Sequence, residues 1–492
     1  MRVLRDLALT VSAFTVANAL PNQIPISPIP QAVEYQVLKH EAFPDYQLRV
    51  HHVAKGTKAV CDNVEQIYGY FDVTGSRHLF FWLFESRSNP EADDFVYWTN
   101  GGPGSSSVSN GLLMELGPCR VNPGGKTTTP FEYSWNQKAT VLFVDHPAGV
   151  GFSYSDNILT TPYSSMIAAS DIYGLLQLLF VYFPKYAKLP FHATGESYAG
   201  HYIPAIGITI FNNNRDAKGP VNINLKSIAI GNGWTDPREQ FVGYAEMACD
   251  GKYAPLVSDE SCDSMYGSLT RCRQLMDLCY RFPGASSVTC LPANLYCERQ
   301  LNGPYDATGR NPYDVRMVCG GDNDDPCYPQ EKDIEFWLDL PSTQAYLGVN
   351  RSFVPGSETV AGLFSLSGDQ GKPFVKEIQE LLLNDISVLI YVGDADWICN
   401  APSQVLWMRR AFVGFLDAKE IPWKSSITGR DAGFYKLVPK LKLAYVNIYE
   451  SGHFVPTDQP EHGVEMLNEW LDMVKKTSQM SEFDGKFLGK VL

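Results

Sequence analysis

Short apolar runs recur along the chain, each closed by Gly, Pro, Asn or a charged residue. They fall at 95–98, 140–145, 191–194, 225–230, 387–392 and 443–449. Runs this short and this continuous predict strands buried on both faces. Residues 67–73 and 79–85, on either side of Thr74-Gly75-Ser76, predict a hairpin. Between the runs the spacing becomes helical. Over 165–183 it puts Ile167, Ile172, Leu175, Leu176, Leu179 and Phe183 on one face. Strand and helix in alternation predict an α/β protein with a mostly parallel central sheet flanked by helices. The alternation lapses from 236 to 385, which reads as an insertion over the sheet's C-terminal edge. Residues 20–57 are Pro-rich and unpatterned and read as a pro-segment or an irregular N-terminal arm.

Charge and cysteines place the chain. A net charge of −14 over 492 residues argues against nucleic acid and against anionic membrane surfaces. The first nineteen residues read as a signal peptide. Arg2 and Arg5 form the basic end, 7–17 the apolar stretch, and Ala17-Asn18-Ala19 the cleavage site. No later run reaches the roughly 18 uninterrupted apolar residues of a membrane span. The expectation is a protein of the secretory pathway, secreted or held in a vacuolar or lysosomal lumen. In that oxidising setting most of the eleven cysteines should pair. Eight lie between Cys249 and Cys327, without the CxxC pairs of a zinc site, so no metal is expected. The odd total leaves at least one thiol free or bonded between chains.

Three segments carry the candidate chemistry: GESYAG at 195–200, GDADWIC at 393–399 and SGHFVP at 451–456. Each follows an expected strand. They supply a serine, an aspartate and a histidine in the chain order of α/β-hydrolases. Ser197 sits at a strand-to-helix turn, with Ala199 where the elbow normally has its last glycine. His453 sits in a loop behind Gly452. Asp394 and Asp396 both suit the acid, and spacing does not choose between them. WTNGGPGSSS at 98–107 supplies a glycine-rich loop after a strand. The hydrolase plan takes one oxyanion donor from such a loop and one from the residue after the nucleophile, which nominates Gly102 and Tyr198.

Longer motifs extend the pattern: MELGP at 114–118, DHPAGVGFSYS at 145–155, GESYAGHYIP at 195–204, GNGWTDP at 231–237, GDADWICN at 393–400 and SGHFVPTDQP at 451–460. Over roughly 60–475 the chain resembles serine carboxypeptidases of the carboxypeptidase Y group, of fungal type. The resemblance implies an α/β-hydrolase fold with an inserted helical, disulfide-rich cap. It implies release of single C-terminal residues from peptides and proteins at acidic pH, without a cofactor. It assigns the acid to Asp396, and Trp98, Asn100 and Glu196 to holding the substrate's terminal carboxylate, with Glu115 facing Glu196. It makes Cys399 a free thiol near the site. It also implies the bridges Cys249–Cys262, Cys272–Cys297, Cys279–Cys290 and Cys319–Cys327. Cys61 and Cys119 are extra to that pattern and are free to pair with each other.

Two departures stand out. Ser105 replaces a cysteine that the family bonds to its cap, and the matching stretch at 357–365 has no cysteine, so a looser cap is expected. Thr99 replaces a leucine. The expected organisation is a signal peptide (1–19), an arm (20–57), the first part of the core (58–235), a cap (236–385) and the second part of the core (386–492). Peptide or protein C-termini are the expected partners, with no nucleic acid and no membrane, in a monomer or homodimer. Asn350 heads the single glycosylation sequon. An acyltransferase or esterase on the same fold is the competing enzyme reading, and a non-catalytic protective partner the competing reading outside enzymes.

Overall fold

The computed structural model describes residues 33–57, 60–319, 327–477 and 488. The expected signal peptide at 1–19 lies outside them. The strands among the described residues are β1 Gln36–His40, β2 Phe43–Val53, β3 Gln66–Val73, β4 Arg77–Phe84, β5 Asp94–Thr99, β6 Cys119–Val121, β7 Thr128–Pro130, β8 Ala139–Val144, β9 Tyr154–Ser155, β10 Phe191–Glu196, β11 Leu225–Gly231, β12 Ser387–Gly393, β13 Ile421–Lys424, β14 Asp431–Val438 and β15 Leu443–Ile448. One large sheet runs in the order β1-β2-β3-β4-β8-β5-β10-β11-β12-β15-β14-β13, with β9 paired to β4 and β6–β7 as a separate ribbon. From β8 to β15 the neighbours are parallel. Both flanks are antiparallel. This is the α/β-hydrolase fold.

Both faces of the sheet are covered, which is why its strands read as unbroken apolar runs. Along β4, Leu79, Phe81 and Leu83 join one core, while Phe80, Trp82 and Phe84 join the other. Helix Ser165–Tyr182 packs on the first face, with Ala168, Ile172, Leu175 and Leu179 fully buried. That helix is long and apolar enough to cross a membrane by length and composition, yet 72% of it is buried inside the protein.

The N-terminal arm needs correcting from Gln36 onward. Residues 36–53 form an antiparallel hairpin that extends the sheet alongside β3. Its inward positions Leu48 and Val50 alternate with Gln47, Arg49 and His51, as an edge ribbon with one wet face requires. The antiparallel pair β13–β14 at the other edge is likewise absent from the expected elements.

The insertion between β11 and β12 is helical, despite its irregular sequence. Its longest helices are Pro237–Cys249, Asp259–Arg281 and Ser286–Cys297. The longest helix buries few side chains, Met265, Cys272, Met276 and Cys279, whereas Pro237–Cys249 buries Phe241, Val242, Tyr244 and Met247. Crosslinks compensate: Cys249–Cys262, Cys272–Cys297, Cys279–Cys290 and Cys319–Cys327 are bonded. Cys61–Cys119 is bonded in the core, and Cys399 is a buried free thiol.

The expectation of a looser cap at Ser105 meets a different arrangement. Ser106 donates its amide to Pro355 (2.9 Å) and Ser357 to Gly104 (2.9 Å). Gly151 and Val354 exchange amide-to-carbonyl bonds of 2.7 and 3.2 Å. Helix Glu358–Ser367 then packs so closely that a Cβ on Gly104 would lie 2.9 Å from the Ser357 carbonyl. Backbone hydrogen bonds fix this contact without a covalent link. Asn350 is exposed.

The 272–297 bridge closes a 25-residue loop between two packed helices that Cys279–Cys290 also joins. Replacing both cysteines with alanine should lower stability by about 3 kcal/mol, read by equilibrium denaturation. An unchanged midpoint would show that helix packing and the remaining Cys279–Cys290 bridge suffice to hold the cap.

Candidate active site

The site is built where β5, β10, β12 and β15 end. In an open parallel sheet this carboxyl edge is where loops are free to gather side chains. β10 leads into helix Ala199–Arg215 through Ser197 and Tyr198, and the sharp turn falls at Ser197. Its φ is 64°, a left-handed conformation that a serine adopts only under constraint. Its amide donates to Gly231 (3.0 Å) and Asn232 (3.1 Å), and its carbonyl accepts from Gly200 and Trp234 (both 2.9 Å). Small neighbours are required. A Cβ on Gly195 would meet that of Ala199 at 2.7 Å and the Thr99 carbonyl at 2.3 Å. Ala199 is therefore tolerated where glycine is usual, because Gly195 gives it room.

Asp396 and His453 are joined by a 2.9 Å hydrogen bond from the imidazole Nδ1 to Oδ2. Both are buried, and His453 lines a cavity with Ser197. Asp396 also accepts from Asn232 Nδ2 (2.7 Å) and from the Ile398 and Cys399 amides (3.0 and 3.2 Å). Four donors hold this carboxylate in one orientation. Asp394, the competing aspartate, faces away. It binds Lys252 Nζ (2.5 Å) and the Tyr253 hydroxyl (3.0 Å).

Asn232 had no role in the sequence reading, although GNGWTDP had been noted as a motif. It has a positive φ of 42°, accepts from the Ser197 amide and donates to Asp396. One residue thereby sets the elbow and the acid relative to each other. An asparagine after a strand, a residue type that tolerates positive φ, was the available signal.

The glycine loop presses on the elbow. A Cβ on Gly101 would lie 2.2 Å from the Tyr198 amide nitrogen. Gly102 has a φ of 107°, open only to glycine. Among the described residues neither the Gly102 nor the Tyr198 amide donates to any acceptor. Both residues line space beside Ser197. Two free amides at a helix N-terminus are suited to an oxyanion.

Behind Ser197 lies a buried acid pair. Asn100 Nδ2 donates to Glu115 Oε1 and Glu196 Oε1, both at 2.8 Å, and Asn100 Oδ1 accepts from Trp98 Nε1 at 2.7 Å. Glu115 and Glu196 are at most 1% exposed. Burial, and then the Glu115 charge, push the Glu196 carboxyl well above the usual range. Burial raises Glu115 as well. The two second oxygens have no other donor, so a proton shared between them satisfies both. Asn100 and Glu196 line the cavity, whereas Trp98 and Glu115 stand behind them. Trp98 is orienting Asn100, and a Cβ on Gly111 would strike both at 2.3 and 2.7 Å.

Two cavities meet at Ser197, Gly102 and Ile398. The larger, of about 290 Å³, contains Asn100, Glu196 and His453. The smaller, of about 120 Å³, is lined by Tyr198, Trp234, Tyr244 and Cys399. Burial pushes the Cys399 thiol well up, so it is a neutral wall rather than a nucleophile.

Comparison with known proteins fits this geometry. Residues 56–473 match the family model of serine carboxypeptidases. Carboxypeptidase Y of Schizosaccharomyces pombe is 41% identical over 446 residues, 88% of this chain. The chain spans 43% of that relative's length. Carboxypeptidase Y homolog A of Paracoccidioides brasiliensis is 40% identical over 87% of this chain and 76% of its own. The crystal structure of a prohormone-processing carboxypeptidase from Saccharomyces cerevisiae superposes with a TM-score of 0.67 at 22% identity, covering 90% of this chain and 96% of that one, a likeness of fold. The chain belongs to the serine carboxypeptidase family.

Gly101→Ala should drop kcat by about 10²–10³, the cost of displacing one oxyanion donor, with the circular dichroism spectrum unchanged. Near-normal turnover would mean that the Tyr198 amide is not in use.

Proposed function

We propose that the protein is a serine-type carboxypeptidase that releases single C-terminal amino acids from peptides and proteins in mild acid. The observation that carries this reading is the acid pair under Asn100, one bond's reach from the nucleophile turn. An esterase has no need of it. Ser197 Oγ attacks the last peptide carbonyl while His453 takes its proton. Asp396 holds the imidazole Nδ1–H and balances the charge that forms. Gly102 and Tyr198 donate to the oxyanion. The leaving amino acid takes the proton from His453, and water repeats the sequence on the acyl-enzyme. Asn100 and a protonated Glu196 receive the substrate's carboxylate, with Trp98 and Glu115 positioning them. The five disulfides support passage through the secretory pathway, to a lumen or the medium.

Ser197→Ala, Asp396→Asn and His453→Ala should each cut kcat by about 10⁴ or more, since such groups act as a unit. Asp394→Asn should cost far less, because its partners are Lys252 and Tyr253. Labelling of the wild type with a fluorophosphonate, together with amino-acid release from a blocked dipeptide, tests the reading. Labelling without release would favour a transferase.

The acid pair gives a second test. With Glu196 raised, the pair keeps a proton in acid and loses it as pH rises. The protonated form donates to a substrate carboxylate, and the fully ionised pair repels it. KM for a blocked dipeptide should therefore climb on the alkaline side, while that of the corresponding amide stays flat. Glu196→Gln should remove the climb. Superimposable profiles for peptide and amide would rule out the pair as carboxylate reader.

A further inference from the structure

The larger cavity continues past the acid pair to helix Gln330–Leu338 of the cap. Two carboxylates on that helix, Glu331 and Glu335, line it. They are four residues apart and share one helix face. Ile334, Trp337 and Leu338 turn the other way, into the core. Like charges at this spacing destabilise a helix unless something answers them. Among the described residues nothing does. Burial and the Glu335 charge raise Glu331 to about 7, and burial and Asp339 raise Glu335. No lysine or arginine lines the cavity. Arg120, on a strand packed against this helix, is spent on the Glu115 carbonyl and the Phe131 ring.

The direction of the substrate fixes what reaches this helix. Its terminal carboxylate belongs at Asn100 and Glu196, which line the cavity beside Ser197. Its scissile carbonyl belongs at Ser197. One residue spans those two points, so the side chain of the leaving residue enters what remains of the same cavity. Tyr313 and Phe454 form apolar walls there, suited to a methylene stem.

We propose that Glu331 and Glu335 bind the cationic side chain of a C-terminal lysine or arginine, so that the enzyme prefers basic C-terminal residues. This rests on the carboxypeptidase reading. The remaining titratable groups around Glu331 are Tyr313 and His453 from the facing loops and Glu196 from the sheet edge. Binding an ammonium group draws the two glutamates into their charged forms. The preference for lysine over an uncharged side chain therefore grows as pH rises from about 5 to about 7, by linkage.

The test compares kcat/KM for three blocked dipeptides ending in lysine, Nε-acetyl-lysine and leucine. The wild type should favour lysine over its acetylated form by about tenfold or more, which is about 1.4 kcal/mol. That comparison alters the substrate alone, so it stands even if protein variants misfold. The double variant Glu331→Gln, Glu335→Gln should bring the ratio toward one, with the loss mainly in KM. Release of leucine with no preference for lysine over acetyl-lysine would overturn this inference alone. A preference that survives in the double variant would overturn it too. Absence of release from all three would overturn the carboxypeptidase reading and this inference with it.

Discussion

Everything at the site depends on one strained residue. Ser197 is held at a φ of 64° between β10 and the helix that follows, at a cost of about 1–3 kcal/mol. Only a rigid surround keeps it there. β10 lies between β5 and β11 in the sheet, so the turn cannot relax sideways. Its amide and carbonyl are both bonded to the loop after β11. The close approach this demands explains Gly101, Gly195 and Gly200 together. A Cβ on Gly200 would lie 2.4 Å from the Trp234 carbonyl. The strain aims the Ser197 hydroxyl away from the sheet and leaves the Tyr198 amide unbonded at the start of a helix.

The second constraint is electrostatic. Two carboxyls at no more than 1% exposure cannot both be charged without cost. Asn100 gives each one hydrogen bond, and a shared proton supplies the rest. The pair is stable as a monoanion, a state that acid preserves. A chain with a net charge of −14 is better tolerated at the same pH, where its surface carboxylates begin to protonate. Site and surface thus favour one working range for separate reasons.

What the sequence made legible follows the same physics. The central parallel strands are buried on both faces, so they read as apolar runs. The groups at their ends fell into hydrolase order. The edges were not legible, because β1–β2 and β13–β14 have a wet face or a polar flank. The cap's helices were not legible from periodicity, its longest helix burying only four side chains, and the helical cap was expected from the family resemblance alone. The family resemblance grouped Trp98, Asn100, Glu115 and Glu196, but only geometry shows Trp98 and Glu115 behind the other two. Asn232 escaped notice because asparagine at a strand end is common, and its value lies in φ and in two partners distant in sequence.

The division of labour between core and cap follows from these placements. Ser197, Asp396, His453, Gly102 and Asn100 all come from the sheet's carboxyl edge, where displacement of about 1 Å would be costly to rate. The cap contributes walls. Tyr313, Glu331 and Glu335 reach the larger cavity, while Asn294 and Glu298 reach the smaller one. Cap helices tied by local disulfides, with loop sizes of 8 to 25 residues, can change a wall residue without moving the elbow. The backbone bonds at Gly104, Ser106 and Gly151 then fix where the cap sits, and so which of its side chains face the nucleophile. Chemistry is set by a strained turn that admits few residues, and selectivity by helices that admit many.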